Sequence, residues 1–258
     1  MAKRVLITGA SSGIGEALAI EWNSRFPEDT IFIAARNSDK LKTLASKSAK
    51  FRTISLDLAS PPSIERTAKE LQLDGALDLV IHNAGISQRS LTKETTIDVD
   101  RSIMETNYFG TVYLTKLLLP AMLAKKSGHF AVVTSLVGKF GSPMRSGYAG
   151  SKHALHGFFD SFRAEIAKDG VRVTMVCPGF IRTQISFSAL TADGSKQDKM
   201  DDAQEHGMDP AVCAQKIISG ILGSKREIYV GGREVLGVYV SSYFPNIFAK
   251  ILQKAKVT

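Results

Sequence analysis

A phenol and an ammonium lie one helical turn apart in the segment SGYAGSKHALHGFF, residues 146–159. From Tyr148 an apolar stripe continues at intervals of three or four residues, which predicts that Tyr148 and Lys152 share one helix face. A desolvated cation within a few ångströms favours phenolate and would lower a tyrosine pKa from about 10 toward neutrality. The spacing therefore predicts an acid or base that works near pH 7. The alternative is a chance spacing, with a solvated phenol and a lysine that snorkels along the stripe.

Two further polar residues support chemistry at this place. Ser135 ends the strand-like run FAVVTS, and the carboxyl ends of strands face the ligand crevice in doubly wound folds. Its hydroxyl would hydrogen-bond the substrate oxygen that Tyr148 protonates. Asn107 interrupts an apolar helical stripe, and because buried amides need partners it would hold a water or a backbone group. A core asparagine satisfied by neighbouring backbone is the alternative.

A glycine-rich turn near the amino end predicts phosphate binding. Gly9, Gly13 and Gly15 follow the run VLIT in the spacing G-x-x-x-G-x-G, and a helix is predicted to begin near Ile14. Glycines let backbone amides approach a phosphate, and the positive end of the helix dipole lies beneath it. We predict a dinucleotide as the ligand; a plain turn that joins strand to helix is the alternative.

The end of the next predicted strand indicates which dinucleotide. A carboxylate there would bind ribose hydroxyls, whereas an arginine accommodates a 2′-phosphate. Ala35 ends this strand and Arg36 follows, which favours NADP(H) over NAD(H). The alternative is that Arg36 is an ordinary exposed residue with Asp39 as a local partner. Asp57, at the end of the third strand, can accept a hydrogen bond from an adenine amino group.

Seven strand-like runs alternate with helical segments and position these residues. Each run is bounded by Gly, Pro, Asn, Asp or Ser. Strands that are apolar on both faces and alternate with helices predict an α/β fold: a doubly wound (Rossmann) parallel sheet of about seven strands with helices on both faces, in one domain over residues 1–258. The polar stretch 188–209 predicts a lid or a disordered loop, and we assign a substrate lid to residues 184–208.

Composition narrows the classes of protein. With 44% hydrophobic and 22% charged residues, the chain suits a soluble globular protein. The formal charge is +8, but its lysines and arginines are scattered without a basic aromatic stripe, so we expect no nucleic-acid partner. No export signal is visible, and two cysteines cannot build a disulfide framework or a metal knuckle. We expect a cytoplasmic protein without a metal.

The sequence resembles the short-chain dehydrogenase/reductase family. The resemblance rests on motifs that follow the family's order over about residues 3–183. They are TGASSGIG (8–15), HNAG (82–85), Asn107, Ser135, YAGSK (148–152) and PGFIRT (178–183). The segment SALTADGSKQDKMD is also similar to the member seven branch of these dehydrogenases/reductases, whose relatives include hydroxysteroid dehydrogenases.

The resemblance implies a role for each matching residue. Tyr148 would be the catalytic acid or base, Lys152 would lower its pKa and hold the nicotinamide ribose, Ser135 would orient the substrate oxygen, and Asn107 would position a proton-relay water. The residues that would bind NADP(H) are Gly9, Ser11, Ser12, Gly13, Ile14, Gly15, Arg36, Asp57, Leu58, Asn83, Ala84, Gly85, Tyr148, Lys152, Pro178, Gly179, Ile181 and Thr183.

These assignments imply hydride transfer between NADP(H) and a carbonyl or alcohol substrate. Apolar side chains in the variable region favour a hydrophobic substrate; they are Phe140, Met144, Phe180, Ile185, Phe187 and Leu190. The alternatives are a noncatalytic NADP(H) sensor, which would commonly lose the phenol or the ammonium, and an NAD-dependent alcohol dehydrogenase. Helices over 101–124 and 147–168, with the small residues Ala149, Gly150, Ala154 and Gly157, would form the interface of a homodimer or homotetramer.

The tail over residues 235–258 is apolar and basic. From Ile247 it predicts an amphipathic helix with Lys250, Lys254 and Lys256 opposite its apolar residues. We expect this helix to pack over the active site or a neighbouring subunit, as such stripes usually do. Peripheral contact with an anionic membrane is the alternative.

Overall fold

The computed structural model describes residues 2–255. Within them, one sheet of seven parallel strands has the order β3-β2-β1-β4-β5-β6-β7. The strands are β1 (Arg4–Thr8), β2 (Thr30–Ala35), β3 (Phe51–Ser55), β4 (Leu79–His82), β5 (Gly128–Val133), β6 (Val171–Pro178) and β7 (Glu227–Val230). The predicted doubly wound fold, with about seven parallel strands, is confirmed.

Helices cover both faces of this sheet. They are α1 (Gly13–Arg25), α2 (Ser38–Ala45), α3 (Pro61–Gln72), α4 (Ile97–Met104), α5 (Gly110–Lys125), α6 (Ser146–Glu165), α7 (Asp202–Glu205), α8 (Pro210–Leu222), α9 (Leu236–Tyr243) and α10 (Pro245–Lys254). Alternation along β1 shows the two layers: Ile7 packs in a cluster with Trp22 of α1, whereas Leu6 packs in the opposite cluster with Phe159 of α6. None of the described helices is long and apolar enough to cross a bilayer.

The strand order reverses between β1 and β4. Strand β1 pairs with β2 on one side and with β4 on the other, with Thr8 opposite Ala34 and Ile7 opposite Ile81. In open parallel sheets this switch point leaves a crevice at the carboxyl ends of the strands. The crevice therefore lies where the glycine turn and the end of β4 meet.

The helix predicted over 101–124 has different bounds and an internal irregularity. Helix α4 already begins at Ile97, and a π-helical turn, Glu105–Phe109, separates it from α5. Apolar spacing does not reveal this turn, because the stripe in the sequence keeps intervals of three and four residues through it. The helix predicted over 147–168 ends at Glu165, where Ile166 leaves the helical conformation.

Candidate active site

The glycine turn has the backbone that only glycine adopts without strain. Gly9 and Gly13 have φ values of 67° and 59°, and α1 begins at Gly13. A Cβ on Gly15 would overlap the carbonyl oxygen of Gly9, so the helix can approach the turn only with glycine there. The side chain of Ser12 does not cap the helix, so it does not occupy the first-turn amides. The turn thus fits a phosphate at a helix amino end.

Thr8 joins the turn to the end of β4. Its hydroxyl accepts hydrogen bonds from the backbone N–H groups of Asn83 and Ala84, both at 3.0 Å. In return, Asn83 Nδ2 donates to the carbonyl oxygen of Thr8 at 3.0 Å. Thr8 is not among the site residues predicted from the sequence, although a hydroxyl at the end of an apolar strand was a signal for it. These bonds fix Asn83 and Ala84 beside Gly9, as the dinucleotide prediction requires.

The predicted adenosine end lies at the carboxyl ends of β2 and β3. Ala35 ends β2, and the exposed Arg36 forms no ion pair with any residue in the described part of the chain. Asp39 instead pairs with Lys42 at 3.7 Å, so the local partner considered for Arg36 is wrong. Asp57 Oδ1 accepts from the backbone N–H of Ala59 at 3.0 Å.

Three further residues predicted to bind the cofactor lie in the loops around the glycine turn and after β3. Leu58 is buried, and its backbone touches Gly110 so closely that a Cβ there would overlap it. Thr183 lies against Gly13, 3.0 Å from where a Cβ would stand. Thus the loop after β6 reaches the glycine turn. Ser11 lies in that turn.

Tyr148, Lys152 and Ser135 converge at the carboxyl end of β5. Tyr148 and Lys152 lie on α6 and are both buried, and Lys152 Nζ stands 5.7 Å from the centre of the phenol ring. Lys152 Nζ donates to the carbonyl oxygen of Val133 at 3.0 Å, which ties α6 to the strand. The Ser135 hydroxyl is hydrogen-bonded to Tyr148 and lies 3.4 Å from the carbonyl oxygen of Pro178. Tyr148 and Lys152 therefore share one face of α6, as predicted.

The predicted pKa of Tyr148 is wrong for the protein by itself. Burial raises the pKa of Tyr148 above its usual value, while the hydrogen bond with Ser135 and the charges of Arg89 and Arg145 pull it down. Lys152 is not among the groups that lower it. Burial also lowers the pKa of Lys152 to about 8, so its ammonium loses a proton as the pH rises through that value. The helical spacing predicted that the two side chains lie close together, but it did not show how much hydration each side chain loses on burial.

Asn107 lies in the π-helical turn and holds the loop after β4. Its Oδ1 accepts from the backbone N–H of Ile86 at 2.8 Å, and its Nδ2 donates to the carbonyl oxygen of Ile86 at 2.9 Å. Nδ2 also donates to Ser151 Oγ at 3.0 Å, and that hydroxyl donates to the carbonyl oxygen of Tyr148 at 2.7 Å. The backbone partner considered for Asn107 is therefore present, and Asn107 links the loop at Gly85 to α6.

Two buried arginines next to Tyr148 were missed in the sequence. Arg89 follows β4, and Arg145 is the residue before α6. Asp201 Oδ2 lies 2.6 Å from Arg89 Nη2 and 3.2 Å from Arg145 Nη2, and all three residues are buried. Burial and the charge of Arg89 lower the pKa of Arg145 to about 10, against the pull of Asp201 and Tyr148. An arginine three residues before the phenol was the available signal.

The segment assigned as a lid is held in place over the site. Leu190 pairs with the loop after β4: the N–H of Arg89 donates to the carbonyl oxygen of Leu190 at 2.8 Å, and the N–H of Leu190 donates to that of Ser87 at 2.9 Å. Asp201 is the second anchor. Polar composition predicted a lid or disorder, and the anchors explain why this segment has a defined path.

The converging residues line a cavity of about 390 Å³. Of the predicted catalytic and cofactor residues, the lining includes Ile14, Asn83, Gly85, Ser135, Tyr148, Lys152, Pro178, Gly179, Ile181 and Thr183. Of the predicted apolar residues it includes Phe140, Phe180 and Ile185, whereas Met144, Phe187 and Leu190 do not line it. Arg89 and Arg145 also line the cavity, and the guanidinium of Arg145 lies 6.0 Å from the centre of the Phe180 ring.

The described part of the tail packs over this cavity. Phe248 of α10 is buried against Phe140, with 4.9 Å between the ring centres, and Ile251 and Leu252 line the cavity. The expectation that the tail helix covers the active site is therefore met for residues 245–254. Lys256 lies outside the described residues.

A separate polar cluster lies beneath the site. His156, Cys177 and Glu227 each offer one atom of a type that can ligate a metal ion, and these three atoms all lie within 4.8 Å of one another. Lys139 Nζ lies 3.1 Å from Glu227 Oε1, and Thr134 Oγ1 lies 3.1 Å from His156 Nε2. The ammonium of Lys139 therefore already balances the charge of the Glu227 carboxylate. Periodicity could not have found the cluster, because its members come from different elements.

The chain is similar in sequence to known short-chain dehydrogenases and reductases. Residues 3–193 match the family profile described as short chain dehydrogenase. Dehydrogenase/reductase SDR family member 7B of Bos taurus is 39% identical over 260 residues, which cover 96% of this chain and 79% of that protein. Dehydrogenase/reductase SDR family protein 7-like of Anopheles gambiae is 40% identical over 264 residues, covering 98% and 82%.

Solved structures share the fold. A short-chain dehydrogenase from Streptomyces avermitilis has a TM-score of 0.83 at 26% identity, covering 98% of this chain and 96% of that one. A short chain dehydrogenase from Burkholderia cenocepacia in complex with NADP has a TM-score of 0.80 at 21% identity, covering 97% of each chain. One from Burkholderia phymatum in complex with NAD has a TM-score of 0.83 at 19% identity, covering 95% of each.

Proposed function

The chain belongs to the short-chain dehydrogenase/reductase family, and we propose that it is an NADP(H)-dependent oxidoreductase that interconverts a carbonyl and an alcohol on an apolar small molecule. The observation that carries this proposal is the convergence of Tyr148, Ser135 and Lys152 in one cavity that reaches the glycine turn through Ile14 and Thr183. Membership of this family supports a dehydrogenase or reductase. The cofactor and substrate are our inference.

The residues of the chain suit the steps of such a reaction. A bound nicotinamide would supply or accept the hydride. Ser135 would orient the substrate oxygen, and Tyr148 would donate its proton to that oxygen in reduction or remove it in oxidation. Arg89 and Arg145 would stabilise the phenolate that reduction leaves, because both lower the pKa of Tyr148. Lys152, anchored on Val133, would hold the ribose.

The choice of NADP(H) rests on Arg36. Its guanidinium is exposed at the end of β2 and forms no ion pair within the described residues, so it is available to a 2′-phosphate. Relatives with the same fold do not decide the cofactor, since one was solved with NADP and another with NAD. An NAD-dependent alcohol dehydrogenase is therefore the competing enzyme.

The test is NADPH oxidation with a panel of apolar ketones and aldehydes, together with calorimetric binding of NADPH. We expect turnover with at least one compound, and Tyr148→Phe should abolish it while it leaves NADPH affinity within about threefold. A noncatalytic sensor would bind NADPH and turn over no compound. Substantial turnover by Tyr148→Phe would contradict the assigned role.

We also propose a homodimer or homotetramer formed through α5 and α6. Gly150 and Gly157 of α6 face open space, because apart from their chain neighbours and the adjacent backbone of α6 no atom of the described chain lies within 4 Å of where a Cβ would stand on either residue. Ala149 is buried within the chain and does not contribute to that face, contrary to the expectation. We propose a reducing, cytoplasmic location because Cys177 and Cys213 are both free, buried thiols.

A further inference from the structure

Exposed apolar side chains concentrate at the carboxyl end of the described chain. Six large ones on α9, α10 and the turn between them are from 50% to 75% exposed, and we call them the C-terminal apolar surface. They are Leu236, Tyr239, Tyr243, Phe244, Ile247 and Ile251. The other exposed large apolar residues are scattered between Ile20 and Leu222. Single exposed residues are ordinary, whereas a concentrated set indicates an interaction surface.

This surface is continuous with the rim of the cavity. Ile251 belongs to both, and its neighbour Leu252 lines the cavity. Within α10 only Phe248 is buried, against Phe140, and the other residues of the helix are exposed or half-buried. Whatever covers the C-terminal apolar surface therefore also lies at the entrance to the candidate active site.

The charges of the same segment are all positive. Residues 235–255 contain no aspartate or glutamate, and Lys250 and Lys254 of α10 are exposed. Lysines beside an apolar surface complement anionic lipid headgroups, each with a contribution that depends on salt. Tyr239 and Tyr243 suit the boundary between headgroups and acyl chains, because their rings are apolar and their hydroxyls polar. A second protein copy would have to bury both lysines, which interface centres rarely do.

The length of the segment decides how it can meet a bilayer. Helix α10 has 10 residues, about half of the roughly 20 that a membrane-spanning helix needs. An amphipathic helix with lysines on one side and large apolar residues on the other lies in the plane of the interface instead. The segment therefore suits contact with one leaflet.

We propose that the C-terminal apolar surface binds the surface of an anionic phospholipid bilayer. In this orientation Lys250 and Lys254 meet the headgroups, and the apolar side chains enter the outer part of the acyl region. The cavity entrance at Ile251 and Leu252 then faces the lipid. If the proposed function holds, an apolar carbonyl compound dissolved in the bilayer reaches the site without crossing water.

The experiment is flotation of the full chain with vesicles. We expect binding to phosphatidylcholine vesicles that contain phosphatidylserine and weak binding to phosphatidylcholine alone. The variant Tyr243→Ser/Phe244→Ser/Ile247→Ser should lose at least about tenfold in affinity, because it removes three exposed apolar groups that do not line the cavity. The control Leu73→Ser/Ile97→Ser/Leu222→Ser changes exposed apolar residues elsewhere and should bind as the unchanged protein does.

A charge variant separates lipid binding from other causes. Lys250→Glu/Lys254→Glu should lose about tenfold or more on phosphatidylserine vesicles at low salt, and little at high salt. Equal vesicle binding by the apolar triple variant and the unchanged protein would overturn the proposal. So would sedimentation of an oligomer that the triple variant dissociates, without any vesicle binding. NADPH binding and turnover of a water-soluble ketone are measured on the same samples, so failure here is distinct from failure of the proposed function.

Discussion

Asp201 and Arg89 form a buried ion pair, with 2.6 Å between Oδ2 and Nη2. The two residues are 112 positions apart, one in the lid segment and the other after β4. The same carboxylate oxygen lies 3.2 Å from Arg145 Nη2, immediately before the helix that carries Tyr148. One carboxylate thus holds the segment around Asp201 against the site and balances part of the charge of two guanidinium groups.

Replacing Asp201 by Asn should destabilise the protein strongly. The change leaves two buried cations without a carboxylate, and breaking a buried pair of this kind costs about 3–5 kcal/mol. Chemical denaturation would measure the free energy of unfolding. Glu28→Gln is the control, because Glu28 pairs with Lys50 at 3.3 Å at the surface and should cost less than about 1 kcal/mol. Similar small losses in both variants would contradict the importance of the pair.

Removing the charge of Arg145 should make Tyr148 a weaker acid. Arg145→Gln takes away a cation that lowers the pKa of Tyr148 and keeps the Asp201–Arg89 pair. Alcohol oxidation needs the phenolate, so the rise of kcat/KM with pH should move to higher pH. Arg182→Gln is the control, since Arg182 pairs with Asp209 at 2.7 Å at the surface. An unshifted profile for Arg145→Gln would show that Arg145 does not act on Tyr148.

Carbonyl reduction should fall as pH rises above about 8. Burial lowers the pKa of Lys152 to about 8, so its ammonium is present below that pH and is lost above it. Tyr148 stays protonated there, because its own pKa is raised. The pH profile of kcat/KM tests this, and Lys152→Arg should lose the decline because arginine stays charged. A decline that persists in Lys152→Arg belongs to another group.

Replacing Arg36 by Asp should reverse the cofactor preference. Loss of a charged hydrogen bond to a 2′-phosphate costs about 1.5–3 kcal/mol, which weakens NADPH binding by roughly 10- to 100-fold. NADH binding should hold or improve, because a carboxylate accepts from ribose hydroxyls. Calorimetric titration with both nucleotides measures the change, with Arg101→Asp as a surface control. Unchanged NADPH affinity would remove Arg36 from the cofactor site.

Local pattern sufficed for the parts of this protein that depend on neighbours in sequence. The alternation of apolar runs with helical stripes predicted a parallel sheet of about seven strands, because burial on two faces leaves a direct record in residue type. The glycines predicted a turn between the first strand and the first helix, and Gly9 and Gly13 have positive φ values there. The spacing of Tyr148 and Lys152 predicted their shared face, since an α-helix repeats about every 3.6 residues.

What depends on distant residues or on hydration needed the tertiary structure. The π-helical turn around Asn107 and the bond from Thr8 to the end of β4 leave no periodic signal. Nor does sequence spacing show that Asp201 meets Arg89, because the fold alone joins the two loops.

The acid–base properties of the site divide in the same way. Helical spacing predicted that a phenol and an ammonium share one face, and the end of a strand predicted that a serine hydroxyl lies near them. Only the folded chain decided that burial raises the pKa of Tyr148 and that Ser135 and two arginines, rather than Lys152, oppose this shift. The physical reason is that a pKa depends on lost hydration and on all nearby charges in space, and neither quantity is a local property of the chain.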